Sequence, residues 1–162
     1  MTLQVRQAGV SDEAFILALN AACVPMVGEM TPEHYRRMLG WAWRVLVADV
    51  KDTPVAFMIL IRPGAAYPSD NYRWFEQAFS RHLYIDRIAV TQEARRSGAG
   101  RALYARAAEL AIETKEERLT AEVNEDPPNP DSMAFHRRMG FHPLATRLSG
   151  SGKTVVMLER AL

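Results

Sequence analysis

The chain is expected to fold as an α/β (α+β) sandwich, with helices laid against a mixed sheet. Three features point there. Apolar runs of strand length, such as "PVAFMILI" (54–61) and "RHLYIDRIAV" (81–90), recur along the chain. Between them lie stretches whose apolar residues return every three or four positions, the spacing of a helix with one buried face. The two kinds alternate, and interleaved helices need a sheet to pack on.

In chain order, "LQVRQ" (3–7) alternates as a short strand. Ser11, with Asp12 and Glu13 behind it, reads as a helix start. Phe15, Ala18, Leu19 and Ala22 then keep helical spacing until Pro25. In "TPEHYRRML" (31–39), Thr31 is an N-cap and Pro32 the first helical residue. "WRVLVADV" (43–50) and residues 54–61 are strands joined by "KDT", a hairpin. Residues 62–80 read as irregular, with a short helix at "NYRWFEQAF". A strand at 81–90 precedes a helix at 98–116, which carries Leu103, Ala107, Leu110 and Ala111 on one side. "RLTAEVN" (118–124) is a strand and "DSMAFHRRM" (131–139) a helix; "FHPLAT" and "TVVMLER" close the fold as a strand pair. Trp41 and Trp43 are expected in the core.

The 162 residues are a usual size for one domain, so a single unit over 1–162 is expected. The net charge of +1 offers no field for nucleic acid or an anionic membrane. No run approaches the ~20 apolar residues that span a bilayer. The start, "MTLQVRQAGVSDEAF", has no leader pattern, and Cys23 is the only cysteine. A cytoplasmic protein without a metal site is expected. His34, His82 and His142 stand alone and are expected at the surface or in caps.

The informative stretch is "RRSGAGRAL" (95–103), which follows a strand and opens a long helix. A helix N-terminus presents unpaired N–H groups and about half a positive charge. Glycines there let an anion approach the main chain. A tight turn with two solvated arginines would look the same. Two other phosphate motifs fail. The dinucleotide fingerprint needs a third glycine where Leu103 stands. "SGSGKT" (149–154) lacks the P-loop's first glycine, Arg147 standing there, and precedes a strand; it reads as a hairpin turn.

Arg95-x-x-Gly98-x-Gly100 resembles the acetyl-CoA signature of the GNAT N-acetyltransferase superfamily. "NPDSMAFHRRMGF" is similar to the family's second motif: Asn129, Ser132, Phe135, Gly140 and Phe141 match, and His136 takes the place of a tyrosine. "EVNEDPPNPDSMAFHRRMGF" also looks like a subgroup of predicted bacterial acetyltransferases. The resemblance implies a mostly antiparallel sheet of about seven strands and about four helices, splayed between the 81–90 and 118–124 strands. It implies acetyl-CoA as co-substrate, with its phosphates on Arg95, Arg96, Ser97, Gly98, Ala99, Gly100 and Arg101. Ile88, Ala89 and Val90 would hold the pantetheine arm, with an oxyanion donor near Ala89 or Val90. Asn124, Asn129, Ser132, Phe135 and His136 would complete the cofactor site.

The implied reaction is attack of an amine on a thioester. An alkyl amine with a pKa near ~10.4 must first lose a proton. Tyr84, Asp86 and Glu122 are candidate bases. In a regular strand, Tyr84 and Asp86 share a face with Ile88 and Val90. His136 is a candidate acid, because the family sets its tyrosine beside the CoA sulfur. The acceptor pocket would draw on Asn20, Met26, Met30, Tyr35, Tyr67, Tyr72, Trp74 and Phe75, residues that could equally be core. The acceptor would be a small-molecule or peptide amine. A non-catalytic acyl-CoA sensor is the alternative function, and a homodimer is expected.

Overall fold

The computed structural model describes residues 2–162. Its elements run β1 (Leu3–Gln7), α1 (Glu13–Ala22), α2 (Pro32–Trp41), β2 (Arg44–Val50), β3 (Thr53–Ile61), α3 (Asp70–Ala78), β4 (His82–Val90), α4 (Ala99–Glu113), β5 (Arg118–Asp126), α5 (Pro130–Arg138), β6 (His142–Leu148) and β7 (Thr154–Ala161). The seven strands form one sheet in the order β1-β2-β3-β4-β5-β7-β6. All neighbours are antiparallel except β4 and β5. Five α-helices are present among the described residues, because the short helix expected at 71–79 forms as α3.

β3 is the middle of the molecule. Ala56 to Ile61 are all 0% exposed, which explains why the run is continuously apolar instead of alternating. On one face Leu46, Met58, Leu60, Leu83 and Ile85 meet Leu103, Tyr104 and Ala107 of α4. On the other, Val47, Phe57, Ile59 and Tyr84 meet Ile16 of α1, Met38 of α2 and Tyr72 and Phe75 of α3.

Local chemistry sets the helix ends. Thr31 caps α2 by accepting from the His34 amide at 3.1 Å, with Pro32 in the first turn. Ser11 does not cap α1. Residues Val10–Asp12 make a 3-10 turn, and Asp12 accepts from the Gly9 amide at 2.7 Å and from Arg6 at 2.8 Å. That ion pair holds the Asp12 carboxyl below the usual range and ties the entry of α1 to edge strand β1. Trp41 and Trp43 are half-buried, not core; Trp43 lies under the guanidinium of Arg44, 4.5 Å from the ring centroid. No helix among the described residues is long and apolar enough to cross a membrane.

The closing strands do not simply add on in order. β7 inserts between β5 and β6, pairing with β5 from Arg118↔Ala161 to Asp126↔Thr154. Residues 149–153 form the hairpin turn, with Ser149 N donating to Lys153 O at 2.8 Å.

Candidate functional site

β4 and β5 pair only at His82↔Arg118, Leu83↔Leu119 and Tyr84↔Thr120. Beyond Tyr84 the two strands leave a gap. A bulge on β4 begins there: Leu60 faces Ile85 and Ile59 faces Arg87, so Asp86 has no partner on β3. A bulge bends its strand and increases the local twist. It also shifts the alternation by one residue. Tyr84 points to the α1–α3 face, but Ile88 and Val90 pack towards α4. The face expected to be shared by Tyr84, Asp86, Ile88 and Val90 is therefore divided at Asp86.

The backbone follows the same count. Thr91 N donates to Val55 O at 2.8 Å, so Ala89 also faces β3. Ile88 and Val90 direct their N–H and C=O groups to the opposite edge, into the gap.

At the end of β4 the chain turns through Gln92–Ala94 into the glycine loop. Gly98 caps α4 with φ 91°, and Arg96 has φ 68°. In that left-handed region a side chain is strained, so Gly98 is required by the turn itself. The Ala99 amide is taken by Ser97 Oγ at 3.2 Å. The amides of Gly98, Gly100 and Arg101 have no partner among the described residues. Arg95, Arg96 and Arg101 are exposed and form no ion pair among the described residues. Gly100 has a second constraint: a Cβ there would lie 3.0 Å from Phe135 Cζ. Phe135 is thus placed against the first turn of α4.

Asn129 caps α5, accepting from the Ser132 amide at 3.4 Å. Asn124 donates to the carbonyls of Pro25 and Met26, each at 3.3 Å, and so ties β5 to the loop after α1. His136 is 3% exposed. Its Nδ1 lies 2.8 Å from Ser132 O and its Nε2 2.6 Å from the Tyr104 hydroxyl. A carbonyl only accepts, so Nδ1 carries the proton and Nε2 of the neutral ring accepts from Tyr104. Burial holds the His136 pKa below its usual value.

The carboxylates gather on the other face. Glu122 is on β5, two residues past the last β4 partner. It accepts from the Tyr84 hydroxyl at 2.7 and 2.8 Å and from Asn71 Nδ2 at 3.1 Å. Asp86 accepts from the Tyr67 hydroxyl at 2.5 Å and from Arg87 Nε at 2.7 Å. Arg87 Nη1 also donates to Asn20 Oδ1 and Gly28 O, both at 3.0 Å. Desolvation pushes the Glu122 pKa up to about 8, and the Asp86 charge adds to the rise. Tyr84 and Asn71 pull it down by hydrogen bonding but do not offset the burial. Burial and the Glu122 charge raise the Tyr84 hydroxyl well above its usual pKa.

The structure brings Tyr84, Asp86 and Glu122 together and sets His136 on the opposite face of the sheet. Tyr35, Tyr67, Tyr72, Phe75, Met30 and Asn20 of the expected acceptor lining are buried, and only Met26 and Trp74 stay half-exposed. His82 is corrected from surface to core: it is 0% exposed, with Nε2 2.6 Å from Glu76 and Nδ1 2.9 Å from Thr120 Oγ1. His142 is exposed and 3.2 Å from Glu159. Asn71, Arg87 and Tyr104 escaped the sequence reading. For Arg87 a signal existed, an Asp–Arg pair inside an otherwise apolar strand; Asn71 and Tyr104 carry none.

Residues 16–141 match the model of the acetyltransferase (GNAT) family. No curated protein sequence matches the chain. Among solved structures, Ard1 from Thermoplasma volcanium is similar at 17% identity and a TM-score of 0.81, over 100% of this chain and 99% of that one. Ribosomal-protein-alanine N-acetyltransferase from Brucella melitensis is 23% identical with a TM-score of 0.73, over 98% and 99%. N-acetylglutamate synthase from Neisseria gonorrhoeae, in complex with coenzyme A and N-acetyl-glutamate, is 17% identical with a TM-score of 0.75, over 100% of this chain and 35% of that one.

Proposed function

The chain belongs to the acetyltransferase (GNAT) family, and from that premise we propose that it moves an acetyl group from acetyl-CoA to the amine of a small molecule or peptide. The observation that carries this reading is Glu122, a carboxyl with its pKa pushed up to about 8, bonded from β5 to Tyr84 of β4 where pairing between the two strands stops. A group poised near working pH is what deprotonation of an amine requires.

The free amides of Gly98, Gly100 and Arg101, with the unpaired Arg95, Arg96 and Arg101, suit the pyrophosphate of coenzyme A. Ser97 and Ala99 shape that turn. The open edge presented by Ile88 and Val90 suits the pantetheine arm, Ala89 between them being turned to β3, and the Ile88 and Val90 N–H groups are the candidate donors to the thioester oxygen. Asn124, Asn129, Ser132 and Phe135 frame the far side of the gap. Glu122 takes the amine proton; Tyr84 hydrogen-bonds its carboxyl in place, while burial and the Asp86 charge keep its pKa high. His136 serves the leaving thiolate through the Tyr104 hydroxyl.

Thermal unfolding tests the cofactor half. Acetyl-CoA at ~100 times its Kd should stabilise the fold by about 2.7 kcal/mol, a rise of roughly 5–10 °C for a chain of this size. Gly98→Glu should abolish that rise. It places a carboxylate in the phosphate site at a position with φ 91°. A parent protein whose melting ignores saturating acetyl-CoA would overturn the proposal. A melting shift without thiol release across a panel of amines would favour the acyl-CoA sensor.

The homodimer remains a proposal. β6 is an edge strand, and Leu144 and Leu148 on it are 37% and 69% exposed. An apolar edge of this kind is usually covered, and a second copy of the chain is the proposed cover. Light scattering should give twice the chain mass; a monomer mass over a wide concentration range counts against it.

A further inference from the structure

The β6–β7 hairpin reaches Glu122 without touching it. Arg147, near the end of β6, donates from Nη1 to Asn71 Oδ1 at 2.6 Å. Its Nη2 lies 3.4 Å from Asp70 Oδ2, which the Gly150 amide also reaches at 2.5 Å. Asn71 Nδ2 in turn donates to Glu122 Oε1 at 3.1 Å. A carboxamide has one accepting end and one donating end, a guanidinium can only donate, and an ionised carboxylate can only accept. The chain Arg147 to Asn71 to Glu122 therefore runs in one direction. With Arg147 in place, the amide oxygen is claimed and the amide nitrogen must face Glu122. Without it, a half-turn of the carboxamide would set oxygen against carboxylate.

We propose that Arg147 is a positioning residue for Glu122: by holding the Asn71 carboxamide in one orientation, it keeps an N–H donor on the carboxylate. This rests on the reading of Glu122 as the base. The other groups that act on Glu122 come from β4 (Tyr84, Asp86, Arg87), α3 (Asn71) and α4 (Tyr104). Tyr67 also feels the Glu122 charge, and it hydrogen-bonds Asp86. Asp86 favours the protonated acid, whereas Tyr84, Asn71 and Arg87 favour the carboxylate. Removing one donor tips this balance towards the acid.

The test compares Arg147→Met, Arg147→Lys, Asn71→Leu and the Arg147→Met/Asn71→Leu double variant. Two readouts are taken against pH: kcat/KM, and the carboxyl ¹³C shift of Glu122 in the protein alone. Arg147→Met should move the Glu122 midpoint upward by about half a unit to one unit, the worth of one hydrogen bond. In kcat/KM this reads as a loss of about 3- to 10-fold below the midpoint and none on the alkaline plateau. Asn71→Leu should give the same shift, the double variant no more, and Arg147→Lys a partial return. A midpoint unmoved by Arg147→Met but moved by Asn71→Leu overturns the proposal, as does an equal loss at every pH. Because the ¹³C titration needs no turnover, a shifted midpoint without any acetyl transfer would sustain the positioning role and refute the proposed reaction.

Discussion

Glu122→Gln is expected to lower kcat by on the order of 10²–10⁴, the usual worth of one general base, with acetyl-CoA affinity unchanged. The parent's kcat/KM should rise with pH and level off above about 8, where Glu122 has lost its proton. The Gln variant should lose that limb altogether. The same substitution should make the protein harder to melt. A glutamate in the unfolded chain titrates near ~4.3, and in the fold its pKa is raised to about 8. A raised pKa means that the folded state prefers the proton. Its stabilising contribution is complete below the unfolded value and is lost as pH climbs to about 8. Glutamine stays neutral throughout, so the gain in melting temperature should open between those limits and stay constant above them. A variant with parental kcat, or one that melts earlier than the parent at alkaline pH, would remove Glu122 from the base role.

His136→Ala should lower kcat by about 10² at the acidic end of the working range, at the low end for a general acid. The neutral ring has no proton to offer, because its N–H is held by Ser132 O and Nε2 accepts from Tyr104. Only the imidazolium can act. In the proposed relay Nε2–H would pass its proton to the Tyr104 oxygen as the Tyr104 proton went to the thiolate, leaving neutral histidine and free thiol. Burial lowers the His136 pKa below the usual ~6.5, so this help is present at low pH and fades as pH rises. A free thiol ionises near ~8.5 and needs less assistance there. The deficit should therefore shrink with pH, and Tyr104→Phe should reproduce it without adding to it. His136→Gln separates packing from proton transfer, since the amide can bond Tyr104 but cannot titrate. A deficit equal at every pH, or a Gln variant as active as the parent, would leave His136 with a packing role alone.

Most of the architecture was legible because local pattern and final burial agree. The unbroken apolar run of β3 is buried on both faces, and Thr31-Pro32 caps α2 as its chemistry requires. The failures are non-local. Nothing in "HLYIDRIAV" reveals that Asp86 is bulged, since a bulge is a relation to β3. His82 reads as isolated because its partners, Glu76 and Thr120, come from α3 and β5. Ser11 loses its cap because Arg6 draws Asp12 into a pair instead. In the site, Glu122 and Asp86 stood out as carboxylates in strands, but the groups that tune them, Asn71 and Arg87, became visible only once the chain was folded.

The placement of β7 fixes when the site can exist during synthesis. β5 has three residues of ladder with β4, and the rest of its pairing is with residues 154–161. The β2–β3 hairpin and β4 can assemble as they leave the ribosome, since their partners are near in sequence. The strand carrying Glu122 cannot: some thirty residues of nascent chain must follow it before its main partner emerges. Arg147, which orients the Asn71 amide, arrives in the same interval. The half-made protein thus has its glycine loop but not the paired strand that carries Glu122.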